Sequence, residues 1–275
     1  MNLVKMRDSL ITLCVSSIFT ACASFPSTAR YNARETRGLV YKTAGGVDLK
    51  ADIFSPVGVS GAKPAVLVVH GGSWASRTGD MEWICRDLAR AGFVAVNITY
   101  RLAPQFRFPA PVDDVRDAGA WIRAHAAELE VDPNRVAAWG YSAGANLVML
   151  AGLDPAAGFR AVVSGGTPAN LVPWPDSPVV IDYLGSPLAG HEALWKKASP
   201  VNSVRSDSPP VFLYHGASDQ IVGPEQEAMM EEALRANGVA HESYLAPHMG
   251  HFLVYLFSQE SFDRGADFLK RKLAP

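Results

Sequence analysis

Arg135-Val136-Ala137-Ala138-Trp139-Gly140-Tyr141-Ser142-Ala143-Gly144-Ala145-Asn146-Leu147-Val148-Met149-Leu150-Ala151 is the stretch that decides the fold. Arg135 to Trp139 is a short, mostly apolar run of strand type, and Asn146 to Ala151 is an apolar helical stretch. Between them Gly140, Ser142 and Gly144 form a Gly-x-Ser-x-Gly pattern at a strand-to-helix turn. A serine at the apex of such a turn has a strained backbone, and glycines on either side let neighbouring chain pass close to it. Ser142 is therefore a candidate nucleophile. Serine also caps helices often, but a capping role would leave the reactive groups at the other strand ends unconnected to it.

The same alternation continues in both directions. Runs of four to six residues, nearly all apolar, recur at Ala65 to Val69, Phe93 to Ile98, Ala161 to Ser164, Val211 to Tyr214 and Glu242 to Leu245. Continuous apolar runs mean burial on both faces, hence mostly parallel strands. Helical patterns lie between them: Met81, Ile84, Leu88 and Ala91 recur at helical spacing, as do Val115, Ala118, Ile122 and Leu129. Pro224 to Asn237 opens with a first-turn proline, carries Glu225 and Glu227 at the positive end of the helix dipole and stops at Gly238. A last helix is expected over Phe262 to Leu273. From Gly38 to Phe54 two strand-like runs flank Gly45-Gly46, a dipeptide suited to a tight antiparallel hairpin. Right-handed crossovers then give one doubly wound α/β domain with an antiparallel start. Gly165 to Pro200 is rich in Pro, Gly and Trp without clear periodicity and is expected to form a short cap over a ligand cleft.

The chain has 275 residues, 48% of them hydrophobic and 19% charged, which is ordinary globular composition and excludes disorder as the main state. A net charge of −2 supplies no field for gripping nucleic acid. Cys14, Cys22 and Cys85 are too few and too scattered for a disulfide framework or a tetrahedral zinc site.

Chemistry concentrates at the strand ends. His70-Gly71-Gly72-Ser73-Trp74 follows the run Ala65 to Val69, where an HGG pattern presents a backbone N–H toward an oxyanion. The N–H groups of Gly72 and Ala143 are the expected oxyanion donors, with Gly71 as a third candidate, and His70 is expected to organise the loop. Asp219 projects from the carboxyl end of the run Val211 to Tyr214, the edge where α/β ligand sites lie. A buried carboxylate there would hold a base histidine in the right tautomer. Among seven histidines only His248 and His251 are placed to be that base, after the run Glu242 to Leu245. His251 is preferred because it lies immediately ahead of the final helical region, with His248 as a loop or rim residue. The order Ser142, Asp219, His251 is that of a hydrolase sheet. Trp74, Trp174 and Tyr183 are the candidate substrate-binding residues, with simple packing as the alternative.

Residues 1–22 are expected to be an export signal: Lys5 and Arg7 precede the apolar run Leu10 to Phe19 and the small residues Ala21 and Ala23. Ten apolar residues are too short to span a bilayer. Two cleavage sites are open. Phe19-Thr20-Ala21-Cys22 resembles a bacterial lipobox, which favours lipidated Cys22, while Ala21-Cys22-Ala23 fits simple secretion. An exported protein results either way, as a membrane-anchored lipoprotein of a bacterial envelope or as a periplasmic or secreted one. Residues 23–37 are expected to be a polar tether, and 38–275 the catalytic domain.

Taken together, these motifs resemble the α/β-hydrolase superfamily from about Gly38 to the C terminus, and within it the esterase and lipase group with an HGG oxyanion motif. Tyr100-Arg101-Leu102-Ala103-Pro104, Phe108 to Val115 and Asp132-Pro133-Asn134-Arg135-Val136 also look like segments of these enzymes. Ser73 stands where the hormone-sensitive-lipase-like branch has a third glycine, and Tyr141 where it has an acidic residue. The likeness therefore leans toward carboxylesterase, feruloyl-esterase-like and arylformamidase-like relatives. It implies hydrolysis of short-acyl or small aromatic esters through an acyl-enzyme, with no cofactor or metal, a small-molecule ester as partner, no nucleic acid, and membrane contact only through an N-terminal lipid. Arg101 and Asp114 are expected to form a structural ion pair beneath the site. A peptidase or amidase of the same fold shares the triad, though such relatives commonly carry a large extra domain. A non-catalytic binding module is the other alternative.

Overall fold

A computed structural model describes residues 32–77 and 80–275. The export signal, Cys22 and the start of the tether lie outside the described residues. The elements are β1 (Ala33–Ala44), β2 (Val47–Pro56), β3 (Lys63–Val69), α1 (Glu82–Arg90), β4 (Val94–Ile98), α2 (Ala110–Ala124), β5 (Val131–Tyr141) and α3 (Ala143–Gly152). They continue with β6 (Val162–Gly165), α4 (Pro178–Leu184), α5 (Glu192–Lys197), β7 (Val211–Gly216), α6 (Glu225–Ala236), β8 (His241–Ala246), α7 (His251–Phe257) and α8 (Gln259–Lys272). The strands form one eight-stranded sheet in the order β1-β2-β4-β3-β5-β6-β7-β8. β1, β2 and β4 pair antiparallel, and every pairing from β4 through β8 is parallel.

Strand periodicity explains why the central runs read as continuously apolar. In β3, Ala65, Leu67 and Val69 pack in the core layer that holds Val115 and Ile122 of α2, Leu147 of α3 and Leu234 of α6. Val66 and Val68 point the other way, into the layer that holds Ile84 and Leu88 of α1 and Phe268 and Leu269 of α8. With helices on both faces no residue of the central runs in β3, β4, β6 and β7 faces water, so the period of two vanishes from their sequence.

The edge hairpin behaves differently. Gly45 and Gly46 both have positive φ (60° and 75°), the requirement of a two-residue turn whose twist matches its strands. β1 begins at Ala33, inside the stretch expected to be tether, and its residues through Val40 are almost all exposed. An exposed edge strand with bulges near Gly38 and Tyr41 leaves no alternation to read. The expected cap, Gly165 to Pro200, contains α4 and α5, of seven and six residues. Helices under two turns long do not repeat a hydrophobic face often enough to show periodicity.

Candidate functional site

The turn between β5 and α3 holds Ser142 at φ 55° and ψ −123°, a region that L side chains rarely adopt. Close packing enforces it. A Cβ on Gly140 would lie 2.3 Å from the Gly144 carbonyl oxygen, and one on Gly144 would lie 2.2 Å from that of Val69 and 2.5 Å from that of His70. Both glycines are therefore needed for strand β5, helix α3 and the end of β3 to meet. The Ser142 carbonyl accepts the first helical bond from Asn146 (3.1 Å), so the preceding N–H groups, Ala143 among them, have no intrahelical acceptor.

Three distant segments converge on this serine. The Ser142 hydroxyl lies 2.9 Å from His251 Nε2, and His251 Nδ1 lies 2.6 Å from Asp219 Oδ2. A carboxylate only accepts, so Nδ1 carries the ring proton and Nε2 is left as acceptor for the Ser142 O–H. Asp219 follows β7 in a turn where its Oδ1 accepts from the N–H groups of Ile221 and Val222, both at 2.9 Å. Burial opposes ionisation of Asp219, but hydrogen bonds from His215 and His251 outweigh it and hold the carboxyl well below the usual carboxylate range. His251 is buried and opens α7, a helix not anticipated in the sequence, where its backbone carbonyl accepts from Tyr141 Oη at 2.5 Å. His248 sits on the exposed turn ahead of α7, with φ 59°. Of the two late histidines, the imidazole beside Ser142 is that of His251.

The HGG loop lies against the same serine: a Cβ on Gly71 would be 3.2 Å from the Ser142 Cβ. The Gly72 carbonyl accepts from Ala75 and Ser76 at 3.0 Å each, closing a turn that leaves Ser73 and Trp74 with positive φ. His70 is buried, stacked on Tyr100 with ring centroids 4.4 Å apart, and its Nδ1 donates to the Gly71 carbonyl at 2.6 Å. Desolvation pushes its pKa down to about 4, so the ring is neutral at neutral pH.

Trp74 and Tyr183 stack face to face, centroids 4.4 Å apart, and both are buried, while Trp174 is partly buried against the same core. Trp74 Nε1 and Tyr183 Oη have no hydrogen-bond partner among the described residues. Large exposed apolar side chains within two residues of the reactive groups are Ile221 (57% exposed), Phe252 (62%) and Leu253 (49%). Asp114, fully buried on α2, binds Arg101 at 2.8 Å, the expected ion pair, and also Lys42 at 2.7 Å. A cleft of about 570 Å³ opens at the far end of β5, between Arg135 and Lys272, and contains none of these groups. Its lining carries no serine, cysteine or histidine, and the convergent polar groups locate the candidate site at Ser142 instead.

Residues 51–234 match the BD-FAE family, from the inner strand of the hairpin through most of α6. The chain belongs to the BD-FAE family. Among curated relatives, esterase LipC of Mycobacterium tuberculosis is 31% identical over 68% of this chain and 52% of its own length. Carboxylesterase NlhH of the same organism is also 31% identical, over 82% of this chain and 79% of its own. The chain spans about half the length of the curated relatives LipC and LipQ that it matches, 52% and 57%. Among solved structures, Thermogutta terrifontis esterase 2 is 25% identical with a TM-score of 0.74, covering 92% of this chain and 95% of that one. That esterase has also been solved with propionate bound and phosphoramylated by tabun. The sheet of this BD-FAE member, with its antiparallel hairpin at one edge, is accordingly an α/β-hydrolase fold.

Proposed function

We propose that this BD-FAE protein hydrolyses carboxylic esters through an acyl-enzyme on Ser142. The observation that carries the proposal is the continuous chain from Ser142 Oγ through both nitrogens of His251 to Asp219, at 2.9 and 2.6 Å. His251 takes the Ser142 proton as Oγ attacks the ester carbonyl carbon, and the N–H groups of Gly72 and Ala143, with Gly71 beside them, receive the developing oxyanion. The C–O bond to the alcohol then breaks, and the alcohol leaves with the proton held by His251. A water gives its proton to His251 and attacks the acyl carbon, and the acid departs as the proton returns to Ser142 Oγ. Asp219 stays ionised throughout, holding the imidazole and stabilising its charged form.

Short-acyl or small aromatic esters are the proposed substrates. The propionate found in the related esterase supports a short acyl group, and the exposed Ile221 and Phe252 suit an apolar leaving alcohol. Of the three candidate aromatics, Trp174 is partly exposed and is proposed to form the wall against which it packs, whereas the buried Trp74–Tyr183 stack is core packing. An export signal with lipidated Cys22 is part of the proposal, checked by mass spectrometry of the mature N terminus. Ser142→Ala is expected to lower turnover of a short-acyl nitrophenyl ester by several powers of ten with an almost unchanged melting temperature. His251→Ala should be equally impaired and His248→Ala nearly normal. Substantial turnover by the Ser142 or His251 variant would reject the mechanism, and equal rates on a matching amide would indicate an amidase instead.

A further inference from the structure

Behind Asp219 the fold buries a second imidazole and a second carboxylate that the mechanism above does not use. His215, at the end of β7, is 1% exposed, and its Nε2 donates to the Val222 carbonyl at 2.7 Å while lying 3.3 Å from Asp219 Oδ2. Val222 is the residue whose N–H holds Asp219 Oδ1, so His215 ties down both sides of the turn that carries the triad carboxylate. On the far side of the ring, His215 Nδ1 faces Glu227 Oε2 at 3.6 Å. Glu227 sits in the first turn of α6, and its Oε2 is buried with no hydrogen-bond partner among the described residues.

Proton counting makes this arrangement informative. A carbonyl only accepts, so Nε2 of His215 must carry a proton. If that were the only proton, the Nδ1 lone pair would face a buried carboxylate lone pair, which is repulsive and leaves the charge uncompensated. One more proton therefore lies between Nδ1 and Oε2, giving either imidazolium with carboxylate or imidazole with carboxylic acid. Burial pushes the Glu227 carboxyl up to about 7, with Glu231 adding to the shift and His215 opposing it. Burial lowers the His215 pKa, but the hydrogen bond to Asp219 and its other partners outweigh this and leave it raised.

We propose that Glu227 and His215 form a proton-sharing couple that positions Asp219 from behind and sets how far into acid the Ser142–His251 pair keeps its base. The proposal rests on the triad reading above. The groups facing the couple are Asp219 on the turn after β7, His251 on α7 beyond it and Glu231 on α6, with Tyr141 of β5 near Asp219. With Glu227 ionised, His215 is an imidazolium beside Asp219, and its charge opposes formation of a second imidazolium at His251. Both act as positioning residues, since neither reaches Ser142.

Glu227→Gln tests this without changing side-chain shape. The amide donates to Nδ1 and holds His215 neutral, so the acid limb of kcat/KM against pH should move up by about half a unit, roughly a threefold loss on the acid side. Nitrogen NMR of the imidazoles should show His215 titrating at lower pH in the variant. Glu227→Met, which removes the charge with similar volume, should produce the same two shifts and covers the case in which the amide is not tolerated. An acid limb and a His215 titration that stay where they are in wild type would overturn the proposal, as would a limb that moves down. The NMR titration is also run in Ser142→Ala protein, where it needs no turnover. A wild-type protein inactive on every ester would therefore sink the parent reading while the couple is still judged on its own.

Discussion

Asp219→Asn exchanges one carboxylate oxygen for nitrogen, and the surroundings dictate which one. Oδ1 accepts from two N–H groups, those of Ile221 and Val222 at 2.9 Å, so the amide oxygen must take that place. The new NH₂ then stands where Oδ2 was, 2.6 Å from His251 Nδ1. Two donors cannot share that contact, so the imidazole proton moves to Nε2, the nitrogen 2.9 Å from Ser142 Oγ. The ring still points at the serine but has no lone pair to take its proton. A tautomer error of this kind is worth on the order of 10⁴-fold in kcat, about 5 kcal/mol of transition-state stabilisation. The assay is turnover of a nitrophenyl acetate near neutral pH, with thermal unfolding as a control, since the substitution keeps the shape of the turn. An Asn variant within about tenfold of wild type would mean that Asp219 does not set the tautomer, and the mechanism would fail there.

Asp114→Asn leaves Arg101 and Lys42 facing a buried site that has lost its charge, and should cost about 3–5 kcal/mol in denaturant unfolding while turnover of the folded fraction changes little. A loss of activity without a loss of stability would make the ion pair more than structural. His70 bears on stability through pH. Its pKa is about 4 folded and about 6.5 unfolded, so the unfolded chain binds the extra proton, and the stabilisation present above pH 6.5 is lost toward pH 4, by up to about 3 kcal/mol. His70→Phe keeps a ring over Tyr100 but cannot protonate, so its stability deficit relative to wild type should shrink over that range. A deficit independent of pH would show that the ring is not held neutral by burial.

Some of this protein is determined locally and can be read residue by residue. The parallel sheet follows from apolar runs such as Ala65 to Val69, which have no water-facing side, and the turn at Ser142 follows from glycines that packing requires at 140 and 144. The order of Ser142, Asp219 and His251 along the chain is likewise plain in the sequence, because each ends or follows a recognisable strand. Weak local signals account for what was harder to see: β1 is an exposed edge from Ala33, and α4 and α5 are too short to repeat a face.

Distance and burial belong to the tertiary structure alone. His248 and His251 are three residues apart on one turn, and only the path of the chain into α7 brings one ring to 2.9 Å from Ser142 while the other stays in solvent. Glu227 has the sequence signature of a solvated first-turn acid, yet the packing of α6 against β7 buries it beside His215. Trp74 and Tyr183, more than a hundred residues apart, become one stacked pair. Sequence patterning reports the average environment of an element, whereas a contact between side chains depends on the relative placement of elements far apart in the chain, which exists only once the sheet and its helices have packed.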